Sequence, residues 1–435
     1  MRSASDLINE INTLPKGKLY LKTINGKQYF YHQYFDNGKR VSKIVKREDA
    51  SSYASKINRR INLETELKEL KQKEKSVVLS KNAKALTGQI MAGNIPVATF
   101  NKGILISINE ALAPLIIKRT HSIELFLKYR TIDNSRVNSR LLKKALNIVE
   151  EKETDIPLCS YALSVGDNYW FKPRNSKLIY KDVILNSDLC FDIALKGDTS
   201  IFPAKTKITP ELTTTGSYEK GWKLIDNEWW LYKSGTEAEI FSELFCYEFS
   251  KLIKLPSAQY EYDGGYIRSK NFATSYNFEP IVAVVGENDN YGTVFPLIYK
   301  ISKDIAMQYV KLITFDAVVN NVDRHNENYG LLRDKRTGTI ISLAPNFDNN
   351  IALISRGTLL NANPKKDGLI MSLIKFLNQN EFAYKLFKTI ELPNITSKNI
   401  LDIINSIPIK ISSEKKDNIV TAIVNRYNYL KTYKK

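Results

Sequence analysis

The chain of 435 residues carries 64 Lys and Arg against 46 Asp and Glu, a formal net charge of +18, with 43% hydrophobic and 11% aromatic residues. That balance excludes a disordered chain and gives room for two or three domains. No apolar run is long enough to span a bilayer, the N-terminus lacks the apolar stretch of a secretory signal, and Cys159, Cys190 and Cys246 are too scattered for a zinc site, so the expectation is a cytoplasmic protein with reduced thiols.

Residues 19–46 hold three β-prone runs separated by Asn25-Gly26 and Asp36-Asn37-Gly38, strong hairpin signals that predict a three-stranded meander. A polar helix follows over residues 47–78. Three strands alone are not stable, so an aromatic face drawn from Tyr20, Tyr29, Tyr31 and Phe35 is expected to pack on that helix or on a partner. Residues 1–75 have a net charge of about +8. In one reading this basic module of residues 1–80 contacts nucleic acid; in the other its aromatics are core and its lysines are solvated.

Residues 81–154 read as a helical connector, with Leu141, Leu142, Leu146 and Ile148 spaced for one helix face. Beyond it the texture is mixed. A Thr- and Ser-rich loop around Gly216 leads into a strand, and residues 228–233 form another, ending at Lys233. A long helix over 237–255 has a broad apolar face from Ile240 to Ile253, and a hairpin turns at Asp263-Gly264-Gly265. Residues 301–320 are helical and apolar, and several more helices fill 369–435. The pattern is α+β, with a sheet-rich lobe over 155–275 and a helical lobe over 276–435.

The segment "VVNNVDRHNENYGLLRD", 318–334, packs polar residues into one loop behind an apolar helix. Asp323 and Asn328 have the five-residue spacing of a protein-kinase catalytic loop, in which the Asp takes up the acceptor hydroxyl proton and the Asn holds Mg²⁺. A hairpin turned at Arg336-Thr337-Gly338 then delivers Asp348, a second hard oxygen ligand. Upstream, backbone N–H groups near Thr215, Gly216 and Ser217 suit phosphate oxygens, and Lys233 with Glu243 suits the kinase ion pair. Taken singly, each of these residues more often caps or turns than catalyses; their joint order favours chemistry.

Three segments, "GSYEK", "LYKSG" with "SELFCYEFSKLIKL", and "DRHNENYG" with "LAPNFDN", together resemble the HipA-like bacterial Ser/Thr kinases over about residues 155–435. The resemblance implies a bilobal protein-kinase-like fold. It makes Asp323 the catalytic base and Asn328 and Asp348 the Mg²⁺ ligands. Lys233, paired by Glu243, becomes the ATP phosphate lysine; Thr215, Gly216, Ser217 and Lys220 form the phosphate loop, and His325 has a structural role. It further implies a protein substrate, with aminoacyl-tRNA synthetases among those of the family, an antitoxin partner, and inhibitory autophosphorylation at the loop, where Thr213 stands in the place of the family serine. Three alternatives stay open: a lipid or small-molecule kinase of the same architecture, a Mg²⁺-dependent nuclease using Asp323, Glu327 and Asp348, and a nucleic-acid-binding regulator.

Overall fold

The computed structural model describes residues 4–24, 27–36, 39–77, 86–149, 152–200, 208–288 and 290–434, so the turns expected at Asn25-Gly26 and Asn37-Gly38 lie outside the described residues. The chain divides into two compact units, Met1–Ala83 and Lys84–Lys435.

The first unit runs α1 (Ala4–Thr13), β1 (Lys18–Ile24), β2 (Lys27–Asp36), β3 (Lys39–Val45) and α2 (Ala50–Val77). The strands form an antiparallel meander with β2 in the centre. Leu7 and Ile11 of α1 pack with Leu63 of α2, and Arg60 of α2 caps the end of α1 by donating to the carbonyls of Ile11 and Leu14. His32 meets α2, its ring against Tyr53 at 4.9 Å with a hydrogen bond of 3.3 Å. Side chains alternate along a strand, so the even-numbered face of β2 is the helix side. Tyr20, Tyr29, Tyr31 and Phe35 fall on the other face, so of the two expected alternatives, the helix or a partner, the helix is not what covers them.

The second unit opens with β4 (Gly88–Ala92), β5 (Ile95–Asn101) and β6 (Ile104–Ile108), then α3 (Leu115–Thr120), α4 (Ile123–Lys128) and α5 (Ser139–Ala145). The expected helical connector therefore opens with a three-stranded meander, and its helices are short and follow that meander. Lys102 and Gly103 both have positive φ, as a two-residue hairpin turn requires. Moreover β4 pairs with β7 (Tyr169–Pro173), so a boundary at residue 154 would cut through one sheet of order β6-β5-β4-β7. The helix expected around Leu141 is the short α5; Leu142, Leu146 and Ile148 are buried and Leu141 faces outward.

After α6 (Tyr180–Val183) and α7 (Phe191–Lys196), β8 (Lys220–Ile225) and β9 (Glu228–Lys233) lead into α8 (Glu237–Leu252). β10 (Tyr260–Asp263) and β11 (Tyr266–Lys270) complete a second sheet of order β10-β11-β9-β8, in which β9 is paired on both sides. β12 (Tyr276–Pro280), α9 (Val282–Val285), α10 (Tyr291–Ile301) and α11 (Lys303–Val319) come next. β13 (Gly330–Asp334) and β14 (Ile340–Leu343) pair with β12 as a third sheet, and α12 (Gly368–Gln379), α13 (Glu381–Thr389), α14 (Ser397–Ser406) and α15 (Ser413–Tyr433) close the chain. The fold is α+β, with small antiparallel sheets and a helical C-terminal part. Its largest core joins α8 to α11 and α15, where the Phe249 ring packs on Phe315 and Tyr427. No described helix is long and apolar enough to cross a membrane.

Candidate active site

Helix α11 ends where Asn320 turns left-handed at φ 57°, a conformation Asn tolerates better than most residues. The loop that follows is organised by a residue to which the sequence assigned no task. Arg324 reaches Asp316 of α11 from Nε at 3.0 Å and Nη2 at 2.9 Å. Its Nη1 donates to the carbonyls of Asn328 at 2.7 Å and Phe347 at 2.6 Å, and Nη2 lies 2.8 Å from the side-chain oxygens of both Asn346 and Asn349. One buried guanidinium thus ties the Asp323–Asn328 loop to the Asp348 loop. A fixed fork of donors can do this and a lysine cannot. Losing one partner of such a buried pair costs about 3–5 kcal/mol. Asn328 Nδ2 closes the loop on the Asp323 carbonyl at 2.9 Å. That leaves Oδ1 as the free end of the amide, an oxygen of the kind Mg²⁺ takes.

Lys233 ends the central strand β9 and is buried. Three residues on, Thr236 and Glu239 form a capping box that starts α8, worth about 1 kcal/mol for the cap alone, and this fixes the rotation of the helix that carries Glu243. The Lys233 ammonium lies 2.8 Å from Asp348 and 3.9 Å from Glu243. Glu243 is fully buried; its Oε2 accepts from the Asn349 amide at 2.9 Å, while its Oε1 has no hydrogen-bond partner among the described residues. Burial pushes the Glu243 carboxyl up to about 7, Lys233 opposing. Burial also raises Asp348, but Lys233 and then Lys220 outweigh it and bring that carboxyl down to about 2. Asp348 is therefore the committed anion of the pair, and Lys233 is shared between it and Glu243.

The loop before β8 is anchored from below. The Glu211 carboxylate accepts from the Trp222 amide at 2.7 Å and from Arg136 at 3.2 Å, with Glu211 and Arg136 both buried. Gly216 has φ 98°, a backbone conformation that favours glycine, and it lies directly on the Lys220 ammonium, the atom a Cβ there would meet. Lys220 donates to the Thr215 carbonyl at 2.9 Å. Burial, with Lys233 adding to it, lowers Lys220 to about 7 against the pull of Asp348. Tyr218 donates to Glu239 at 2.6 Å, and its pKa is raised by burial, by Glu239 and then by Asp323 and Asp348, which sets its hydroxyl within reach of both carboxylates' fields. Ser217 is exposed, whereas Thr213 is buried with its hydroxyl donating to the carbonyls of Leu163 and Pro210.

A cavity of about 610 Å³ separates this loop from the one after α11, with Thr215, Gly216 and Ser217 on one wall and His325, Asn326 and Glu327 on another. His325 is exposed into it, and its Nδ1 accepts only a weak bond from the Glu327 amide at 3.3 Å. A structural role for His325 does not fit that setting; Arg324 holds the loop instead. The nuclease alternative needs Asp323, Glu327 and Asp348 clustered on metal, and among the described residues no group of three His, Cys, Asp or Glu side chains is placed to hold one. An Asn328 amide oxygen, an Asp348 carboxylate and two lysines beside a glycine loop do fit a nucleotide phosphate with Mg²⁺.

Arg324, Asp316, Glu211, Arg136 and Tyr218 are the residues of this site that a reading of motifs passes over. A polar Asp316 inside the apolar run of α11 was the available signal for the first two, because a buried carboxylate demands a partner.

No family model matches the chain, and no curated protein does. Among solved structures, the chain is similar to the Helicobacter pylori proinflammatory kinase CtkA, at 19% identity and a TM-score of 0.39 over 49% of this chain and 94% of that one. It is also similar to the HipA, HipB and operator DNA complex of Shewanella oneidensis MR-1, at 11% identity and a TM-score of 0.49 over 79% of this chain and 97% of that one.

Proposed function

We propose that the chain transfers the γ-phosphoryl group of ATP, with Mg²⁺, to a Ser or Thr hydroxyl of a protein, using a two-lobed kinase-like domain. The observation that carries the reading is the meeting of Lys233, Glu243 and Asp348 within 3.9 Å, on a segment that Arg324 ties to the Asp323–Asn328 loop. Neither a turn nor a cap needs a buried lysine shared by one buried and one half-buried carboxylate, and isolated charges of this kind are costly. In this reading Asp323 orients the acceptor hydroxyl and takes its proton. Asn328 and Asp348 would hold the metal, and Lys233 and Lys220 would bind phosphate oxygens above Gly216. The metal, when bound, neutralises charge on the transferred group. Everything else is positioning, which supplies much of the barrier reduction in such transfers.

Incubation with γ-labelled ATP and Mg²⁺, alone and with cell lysate, beside Asp323→Ala, tests this. The expected result is label on a Ser or Thr of this chain or of a lysate protein, reduced by about 100-fold or more in the variant. Equal labelling of both proteins, or none, removes the reading. Phosphopeptide mapping of the labelled chain reports on the loop: Ser217 is open to solvent, whereas Thr213 is modified only if its two carbonyl bonds break.

A further inference from the structure

None of the site residues named above lies within residues 4–77, whose sheet has a face of unusual composition. Directly paired residues of antiparallel strands share a face. The register Lys18↔Gln33, Tyr20↔Tyr31 and Lys22↔Tyr29 joins β1 to β2, and Gln33↔Ser42 and Phe35↔Arg40 join β2 to β3. This is the face opposite His32 and α2. Phe35 is 70% exposed on it and Ile44 62%, more than a solvated sheet face needs to show. Lys18 and Lys22 stand on one outer strand and Arg40 on the other, all exposed, while the central strand presents Tyr29, Tyr31 and Gln33. Among the described residues of the face there is no Asp or Glu.

We propose that this face of β1–β3 binds duplex DNA. Cations on both flanks with no acid between them are complementary to two rows of phosphates, not to a protein surface of mixed sign. Outer strands of a three-stranded sheet lie about 10 Å apart, and the major groove of B-DNA is about 12 Å wide. The flanking cations would meet phosphates, and Gln33, Ser42 and the tyrosine hydroxyls would face base edges, the usual division between positioning and reading contacts. Duplex RNA closes its major groove to side chains. Single strands bind by stacking bases on rows of open rings, and here two of the rings are engaged with each other. Tyr20 and Tyr31 stack on each other at 5.7 Å, and the Lys22 ammonium lies 5.9 Å over Tyr31. The proposal is independent of the phosphotransfer reading, since none of its residues lies in Lys84–Lys435.

Fluorescence anisotropy of the full-length protein with a labelled mixed-sequence duplex, over a range of salt, tests it. The face variant K18E/K22E/R40E is compared with K375E/K398E/K410E, which reverses the same number of exposed basic residues in the second unit. The face variant should lose about tenfold or more in affinity and flatten the salt slope by about 3, at about 0.9 per phosphate contact, while the control changes little. Equal loss in both variants overturns the proposal by making the binding one of bulk charge. So does tighter binding of labelled single-stranded DNA or of RNA, or no salt-dependent binding by the unaltered protein. Far-UV circular dichroism checks the fold. If the triple variant is unfolded, Lys22→Gln and Arg40→Gln carry the same test with a slope change of about 1 each.

Discussion

Lys220 lies fully buried beside Lys233, and burial first, then that neighbour, lower its pKa from 10.5 to about 7. Above that pH the free protein holds it mostly neutral. An anionic phosphate favours the ammonium, so ATP binding takes up a proton, and affinity falls as the pH rises from about 7 toward the ordinary lysine value. At about pH 8, titration calorimetry in buffers of different ionisation enthalpy should report uptake of about 0.5–1 proton per ATP. Lys220→Met should abolish the uptake and weaken binding at every pH. Heats that do not depend on buffer would separate Lys220 from the nucleotide. Asp323 and Asn328 could be read from the sequence because their relation is a short spacing within one loop. Arg324 could not be assigned its role, because apart from Asn328 its partners lie 8, 22, 23 and 25 residues away and only folding brings them to it.

At the scale of elements, what was legible followed from local signals. The alternation of β9 and the broad apolar face of α8 are periodicities of a single segment, and the β10–β11 hairpin is marked by Asp263-Gly264-Gly265. The β4–β6 meander was missed although its turn residues are present, because short apolar runs such as 88–92 and 104–108 fit helix and strand equally until their partners are known. The pairing of β4 with β7 has no local signal at all. Gly330 opens β13 two residues after Asn328, and a Cβ there would stand 2.3 Å from the Glu279 carbonyl oxygen and 2.8 Å from the Pro280 Cα, both on β12. Backbone cannot swing aside as a lysine tip can. Gly330→Ala should therefore cost about 2–3 kcal/mol and lower Tm by roughly 3–4 °C in a unit of this size. Labelling should fall further than stability explains, since the same strand start fixes Asn328. Thermal melts beside the labelling assay decide this; an unchanged melt with full labelling would mean that β12 does not hold the loop.

For the whole molecule, charge and chemistry are divided between the two units. Residues 1–83 hold 18 Lys and Arg against nine Asp and Glu, so fewer than one fifth of the residues carry +9 of the +18. Net charge read over the whole chain would favour an acidic target, yet half of that charge belongs to residues 1–83, none of which is among the site residues named above. The walls of the cavity beside that loop include Asp133, Glu153, Glu287 and Glu327 with one lysine, Lys128, so acids outnumber bases there although the chain as a whole is basic. Each unit also has its own core: Leu7, Ile11 and Leu63 in the first, and the clusters around Phe249, Phe126 and Leu142 in the second. A chain beginning at Lys84 keeps every residue of the site and every one of those larger clusters. It should melt within about 2 °C of the full chain, because the groups that set its ΔG are retained. Its labelling with ATP should match the full chain within about twofold, while duplex binding is lost. A large fall in Tm would instead show that the first unit supports the second, and retained duplex binding would move the nucleic-acid surface to the second unit.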